Sequence, residues 1–259
     1  MDGLTLVQIA LLAASGFIAG AVNAIAGGGT FFTFSALIAT GVPPITANAT
    51  SSVAITPGNI TGALAYHREI RAHGPRFIGL ILVSLLGGLL GAALVLLVDN
   101  QQFRAMVPWF LGFATLLFAT GPRLQAWTKQ FRAREKADPS LRPNRIWGRV
   151  FQFCVAIYGG FFGAGMGIVM LAGLAITEGE DHHVLTALKN LLGMVIQLVA
   201  LALFISGGLV SWPHCLAITV PALIGGWTGG SIARRLPAKI VRLFVIGVGT
   251  LLTILFAVR

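Results

Sequence analysis

The stretch LTLVQIALLAASGFIAGAVNAIAGGGTFFTFSALIA, residues 4–39, runs for 36 residues without a Lys, Arg, Asp or Glu. Three consecutive glycines, Gly27-Gly28-Gly29, interrupt it about two-thirds of the way along. As one helix it would be about 54 Å long at ~1.5 Å per residue, against a hydrocarbon core of about 30 Å. Glycine lets the backbone leave helical geometry, so the run predicts a chain that enters the membrane, breaks and returns. A second interrupted apolar segment, residues 149–176, carries Gly159-Gly160-Phe161-Phe162-Gly163-Ala164-Gly165-Met166-Gly167 and opens the other half of the chain. Two such breaks in corresponding places predict a transporter made of two repeated halves.

Composition agrees with a membrane protein. Of the 259 residues, 56% are hydrophobic and 10% charged, with a mean hydropathy of +0.86. A soluble domain carries about 25% charged residues. Windows at 4–26, 77–98, 103–121, 191–206, 215–232 and 240–258 are apolar nearly all round, as spans are and surface helices are not. Residues 46–66 are less apolar but uncharged. The formal charge of +10 does not point to nucleic acid, because the basic residues sit in short connections between apolar segments. Cys154 and Cys215 both lie in apolar segments and suggest no disulfide framework or metal site. Met1-Asp2-Gly3 lacks a positive n-region, so the first segment reads as a retained helix.

The longest polar stretch, residues 123–149, holds eight Arg/Lys and divides the chain into residues 1–122, a basic cytoplasmic linker at 123–148, and residues 149–259. Each half opens with a Gly-broken segment and continues with three longer apolar ones. If each broken segment crosses once, the basic loop residues divide 12 against 5 between the two faces. If each instead returns as a helical hairpin, the turn with Arg68, Arg71 and Arg76, the linker, and the turn from Arg234 to Arg242 share one face. The division becomes 15 against 2, with Arg104 and Arg259 opposite. Positive-inside bias favours the hairpins, with both termini periplasmic. The expected fold is therefore an all-α polytopic membrane protein of two inverted repeats, each a Gly-broken helical hairpin followed by three spans.

Candidate binding residues cluster around the breaks. Gly16, Gly20, Asn23 and Gly27-Gly28-Gly29-Thr30 form a small-residue seam. Gly16 and Gly20 read as close helix packing. Asn23, Gly28, Gly29 and Thr30 read as a helix start whose free N–H groups suit an anion. The span at 46–66 carries Asn48, Thr50, Ser51, Ser52, Thr56 and Asn59, neutral donors that could replace water around a small oxyanion or bond other helices. In the second half, Gly165 and Gly167 stand at the break, and Lys189, Asn190 and Gln197 lie on the next span. Lys189 is the one charge well inside a span, which marks a functional site or a side chain reaching for the surface. No Asp or Glu sits mid-span, the polar turn with His182, His183, Glu178, Glu180 and Asp181 reads as solvated loop, and no hydrolase, dinucleotide or Walker A motif is present. The chain thus reads as neither an enzyme nor an ATPase, with no cofactor.

Residues 16–70 resemble the TauE/SafE sulfite-exporter family of membrane permeases. The likeness rests on Gly20, Asn23, Ala26 to Gly29, Gly41, Pro43, Ala47, Thr50, Ser51 and Pro57-Gly58, and the repeat plan extends it over almost the whole chain. The second half departs in detail, with Gly163-Ala164-Gly165-Met166-Gly167 in place of a fuller glycine motif and Lys189-Asn190 in place of the Thr/Ser pattern. The resemblance implies a bacterial inner-membrane secondary carrier, often proton-linked, for small sulfur-containing anions such as sulfite, sulfonates or sulfoacetate. The partners expected are that solute and the lipid bilayer, with no nucleic acid and no ATPase subunit. The alternatives are a membrane assembly or chaperone protein that docks through the basic linker, and an anion channel.

Overall fold

The computed structural model describes residues 4–25, 29–64, 66–73, 77–138, 144–178, 181–232 and 238–258. Gly27, Gly28, Arg76, Glu180, Arg234, Arg235 and Arg259, all named above, lie outside the described residues, as do Met1, Asp2, Gly3 and Ala26. The described residues form helices and no strand. The first half contains α1 (Leu6–Ile25), α2 (Thr30–Ala39), α3 (Pro44–Leu64), the short α4 (His67–His73), α5 (Ile78–Leu97) and α6 (Asn100–Ala137). The second contains α7 (Arg145–Phe161), α8 (Met166–Thr177), α9 (His182–Ser206), α10 (Trp212–Ile232) and α11 (Ala238–Val258).

Among the described residues, four helices are long and apolar enough to cross a membrane: α1, α5, α6 and α9. Their outer faces confirm the environment. Leu82, Leu86, Leu116, Trp109 and Trp227 are all more than half exposed, an arrangement that water would penalise and lipid does not. The protein is an all-α polytopic membrane protein.

Local signals set several boundaries. Asp99 caps α6 by accepting from Gln102 N at 2.7 Å, and the Gln102 side chain accepts from Asp99 N at 3.4 Å. Gly41, at φ +89°, ends α2, where Gly41 N and Val42 N bond to the Ile38 and Leu37 carbonyls. Pro44 then opens α3 at a position where its missing N–H costs nothing. Helix α6 continues past Gly121 and Pro122 to Ala137. Pro122 removes one backbone donor, and the Lys, Arg, Gln and Ala residues beyond it are strong helix formers. Its 38 residues give about 57 Å at ~1.5 Å per residue, so one end projects well beyond a hydrocarbon core of about 30 Å.

The contacts between helix ends define the layout. Gln8 Nε2 near the start of α1 donates to Thr40 O past the end of α2 at 3.4 Å. Gly29, just before α2, lies directly against the Ala19 carbonyl of α1. The same crossed relation recurs between α7 and α8: Gly148 lies against Thr177, Gly173 against the Phe151 ring, and Gly159 against the Met166 sulfur. Ile45 N at the start of α3 donates to Asn100 Oδ1 at the start of α6 at 3.1 Å. Leu96 and Gly207, at the ends of α5 and α9, touch each other.

Glycines carry the two most extensive helix pairings. Helix α1 packs on α10, with Gly16 against Ile218 O, Gly20 against Ala222 O and Gly225 against Phe17 O. Helix α5 packs on α7, with Gly87 against Phe153 O, Gly91 against Ile157 O and Gly160 against Gly88 O. Each glycine faces a backbone carbonyl so closely that a methyl group there would collide with it, so Gly16 and Gly20 are packing residues. A buried Gln152 Nε2 donates to Ser84 Oγ at 2.9 Å across the α5–α7 seam.

Gly91→Ala should lower the melting temperature of the purified protein, because its new methyl must push the two helix backbones apart at a cost of about 1–3 kcal/mol. Gly247→Ala on α11, where nothing lies within 4 Å of the added methyl, should leave the melting temperature unchanged or raise it. Equal effects of the two substitutions would refute the carbonyl-contact account.

Candidate functional site

Helix α3 runs through the middle of the molecule, and its polar side chains reach different neighbours. Asn48, Thr50, Ser51, Ser52 and Thr56 are all buried. Ser51 Oγ donates to Thr30 O of α2 at 3.3 Å and shares a 2.5 Å hydrogen bond with Thr33 Oγ1. Thr33 Oγ1 also reaches Thr30 O at 3.2 Å, closing a triangle at the first turn of α2. Thr50 Oγ1 accepts from Ser211 N, just before α10, at 3.0 Å. Asn59 Oδ1 accepts from Asn23 Nδ2 of α1 at 2.8 Å. Thr56 bonds only within its own helix, to Ser52 O at 2.8 Å.

The described residues that flank the break between α1 and α2 are therefore tied to their neighbours. Gly28 lies outside the described residues. Gly29 is buried, with helical φ and ψ, and is pressed onto α1, while its own carbonyl accepts from Phe32 N at 3.0 Å. The Thr50, Ser51 and Asn23 side chains and the Thr30 carbonyl are engaged in bonds between segments.

The break between α7 and α8 is built differently. Phe162 N and Gly163 N both bond to Tyr158 O, and the Tyr158 hydroxyl donates to Ala164 O. Gly163 and Gly165 both have positive φ, +76° and +75°, where side chains other than glycine are strained. Asn48 Nδ2 donates to Phe161 O, a carbonyl left over at the end of α7, at 2.8 Å. Rings hold the turn in place: Phe161 stacks on Phe103, Phe162 on Phe110, and Phe34 of α2 meets Phe162 edge-on.

Several polar groups at this second break remain unmatched among the described residues. Met166 N and Ile168 N bond to Gly163 O and Gly165 O, whereas the N–H groups of Gly165 and Gly167 find no backbone acceptor. Asn48 Oδ1 and Gln197 Oε1 are buried without a hydrogen-bond partner. Gln197 Nε2 lies 3.5 Å from where a Gly163 Cβ would stand, so this amide faces the break. The Lys189 stem crosses α8, with Cδ 3.7 Å from the corresponding point at Gly167. Asn190, beside Lys189, is half-buried and already has an interaction partner.

Gly165, Gly167, Lys189, Gln197 and Asn48 thus gather at the α7–α8 break, from both halves of the chain. Asn23, Gly29, Thr30 and Ser51 gather at the α1–α2 break. Thr50 serves the start of α10, and Ser52 and Thr56 face the interior of the bundle. Tyr158, Thr33, Ser211 and the clamping phenylalanines are the participants that sequence reasoning did not single out. Tyr158 had a usable signal: a lone Tyr inside an apolar segment must find a partner for its hydroxyl, and Gly159-Gly160 follows directly.

Comparison with known proteins gives a consistent result. The profile of the family described as Sulfite exporter TauE/SafE matches residues 12–256. A "Probable membrane transporter protein" of Haemophilus influenzae is 27% identical over 246 residues, covering 95% of this chain and 92% of its own length. "Probable membrane transporter protein ORF9" of a Sinorhizobium species is 26% identical, covering 98% of this chain and 94% of its own length. "Probable membrane transporter protein YfcA" of Escherichia coli K12 is 26% identical, covering 91% and 84%. No solved structure matches the chain.

Tyr158→Phe removes the donor that satisfies the Ala164 carbonyl at the second break. Leaving that buried acceptor bare should cost about 1–3 kcal/mol and lower the melting temperature measurably. A melting temperature equal to that of the unaltered protein would show that the hydroxyl does not hold the turn.

Proposed function

Since the chain belongs to the TauE/SafE sulfite-exporter family and is a membrane transporter rather than an enzyme, we propose that it is a secondary carrier for a small anion held at the α7–α8 break. The observation that carries this reading is Lys189. Its stem lies on the first turn of α8, and no acidic side chain pairs with it among the described residues. A cation beside a helix N-terminus is unfavourable alone, because both present positive potential to the same space. An anion resolves that conflict, taking the Gly165 and Gly167 N–H groups and the ammonium together. Sulfite, an organosulfonate or sulfoacetate fits the chemistry that the family name implies. Proton linkage would supply the driving force for such a carrier.

The proposed architecture is a pair of inverted repeats, residues 1–122 and 149–259, joined by a basic linker at 123–148. Each repeat opens with a re-entrant hairpin, α1–α2 and α7–α8. The crossed contacts Gln8 with Thr40 and Gly148 with Thr177 support the two hairpins. Equivalent helices then pair reciprocally, α1 with α10 and α7 with α5, as a two-fold relation requires. The start of α5 meets the start of α7, where Gly79 touches the Arg149 guanidinium, which supports a shared cytoplasmic end for these helices. On this reading the termini are periplasmic, the membrane is the bacterial inner membrane, and the two repeats rock about the glycine seams for alternating access.

Proteoliposome uptake of labelled sulfite and sulfonates tests the carrier. Lys189→Gln should reduce saturable uptake at least about tenfold, the effect of losing one charge-assisted contact in a dry site. Thr50→Ala should retain transport with reduced stability, because Thr50 serves Ser211 N. Full uptake by Lys189→Gln would remove this site, and ohmic single-channel current in place of saturable exchange would favour a channel. Topology is tested by single cysteines at Asp2, Gln101, Asp138 and Arg259 in a background lacking Cys154 and Cys215. A membrane-impermeant thiol reagent added to whole cells should label positions 2, 101 and 259 and not 138, whereas eight plain spans would leave positions 2 and 259 unlabelled with 138.

A further inference from the structure

Helices α6 and α11, one from each half of the chain, meet at Gly112 with Thr253 and at Gly249 with Thr115. Beside these contacts lies a groove of about 860 Å³ that reaches the start of α6 and the end of α11. Its α6 wall is a single stripe, Gln101, Arg104, Ala105, Pro108, Gly112 and Leu116, at the three- and four-residue spacing of one helical face. Phe256 and Ala257 of α11 form the other wall, and Trp109, 80% exposed, also borders the space. The polarity is graded along the groove. Thr253 bonds its hydroxyl to Gly249 O at 2.7 Å, so the polar side chains left are Gln101 and Arg104, both at the end near the α5–α6 turn. Arg104 is exposed, and no acidic side chain pairs with it among the described residues. The neighbouring carboxylate, Asp99, is engaged in capping Gln102 N.

The groove also has the depth of one leaflet. From Arg104 to Leu116 the helix advances about 18 Å at ~1.5 Å per residue, against about 15 Å for half of a hydrocarbon core of about 30 Å. An occupant that fits has a charged head at the α5–α6 turn and an apolar body extending to mid-membrane, which is the form of a membrane lipid. An unpaired guanidinium selects the sign of the head, because its planar donors match a phosphate and a zwitterionic headgroup brings a competing cation of its own. We propose that the α6–α11 groove binds an anionic phospholipid such as phosphatidylglycerol. Its phosphate sits on Arg104 and Gln101, and one acyl chain lies along Ala105, Gly112 and Phe256. Basic sites between membrane helices recognise anionic lipids through the same combination of charge and chain contact. The bound chain touches α6 of the first half and α11 of the second at once, so the lipid fastens a seam that the protein closes over only part of its length.

Thermal-shift titration of the delipidated full-length protein in detergent, with dioleoyl phosphatidylglycerol and dioleoyl phosphatidylethanolamine as probes, tests the site. The two lipids share their chains and differ in headgroup charge. Phosphatidylglycerol should bind about fivefold more tightly or better, the effect of one basic side chain on an anionic headgroup. Arg104→Gln should abolish that preference while leaving the melting temperature of the lipid-free protein unchanged, because Arg104 is exposed. Ala105→Phe, which fills the slot, should weaken both lipids alike. Glycerol 1-phosphate, the headgroup phosphate without chains, should produce no shift at the concentrations where the lipid saturates. Equal binding of the two lipids by the unaltered protein would overturn the proposal, as would a preference that survives Arg104→Gln. Glycerol 1-phosphate binding as tightly as the lipid would make this a site for a free anion and overturn the lipid reading. The comparison in the unaltered protein decides the matter even if a variant fails to fold, and no outcome depends on Lys189 or the α7–α8 break.

Discussion

Every backbone group freed where a helix breaks inside hydrocarbon has to find its partner within the protein, because no water is there to serve it. Two breaks in one small membrane protein make that requirement acute, and α3 is where it is met. Ser51 donates to the Thr30 carbonyl at the start of α2, and three residues earlier Asn48 donates to the last carbonyl of α7. The polar character of α3 thus follows from the glycine breaks. A wholly apolar α3 would leave the Phe161 carbonyl bare, at about the cost of a lost hydrogen bond or more. Its position between the two breaks fixes where α2 and α8 begin, and so where their N-terminal dipoles point.

The packing around α3 is governed by backbone approach rather than by apolar burial. Lipid tails are as apolar as leucine, so helices gain little by exchanging lipid for one another unless they come very close. The carbonyls of Ile218, Ala222, Phe153 and Ile157, seated on glycines, are that close approach. Weak Cα–H···O contacts of this kind are individually small and depend on sliding surfaces without side chains between them. Such a surface is stable against separation yet offers little resistance to rotation, which is what the proposed rocking of two repeats needs.

Much of the fold was legible because its signals are local. The length of the stretch 4–39, the three glycines within it and the uneven spread of basic residues need no knowledge of partners. The polar residues of α3 were legible as a cluster but not as a set of bonds. Asn48 finds Phe161, 113 residues away, and Thr50 finds Ser211, 161 residues away, and nothing in either neighbourhood names the other. Asn48, Ser52, Thr56 and Asn59 recur every three or four residues and so share a helical face. Their partners are instead dispersed, because a central helix touches several neighbours around its circumference. Helix α6 hid its length for a different reason: Gly121-Pro122 is a strong stop signal locally, and the helix-forming residues after it outweigh the loss of a single donor.

The two breaks also differ in a way that repeat architecture alone does not predict. Around α1–α2, Asn23, Ser51 and Thr33 are engaged in side-chain hydrogen bonds and Gly29 is pressed onto α1. Around α7–α8, the Gly165 and Gly167 N–H groups, the amides of Asn48 and Gln197 and the Lys189 stem border a turn whose glycines lie in the left-handed region. A symmetric scaffold with two open breaks would bring two like-charged solutes into one low-dielectric interior, where their repulsion is poorly screened. In the proposed carrier, a single solute held at one break avoids that repulsion and leaves the reciprocal helix pairings intact. On the proposed reading, the departures of the second half from the first, Lys189 foremost among them, mark the solute site more sharply than the shared glycines do.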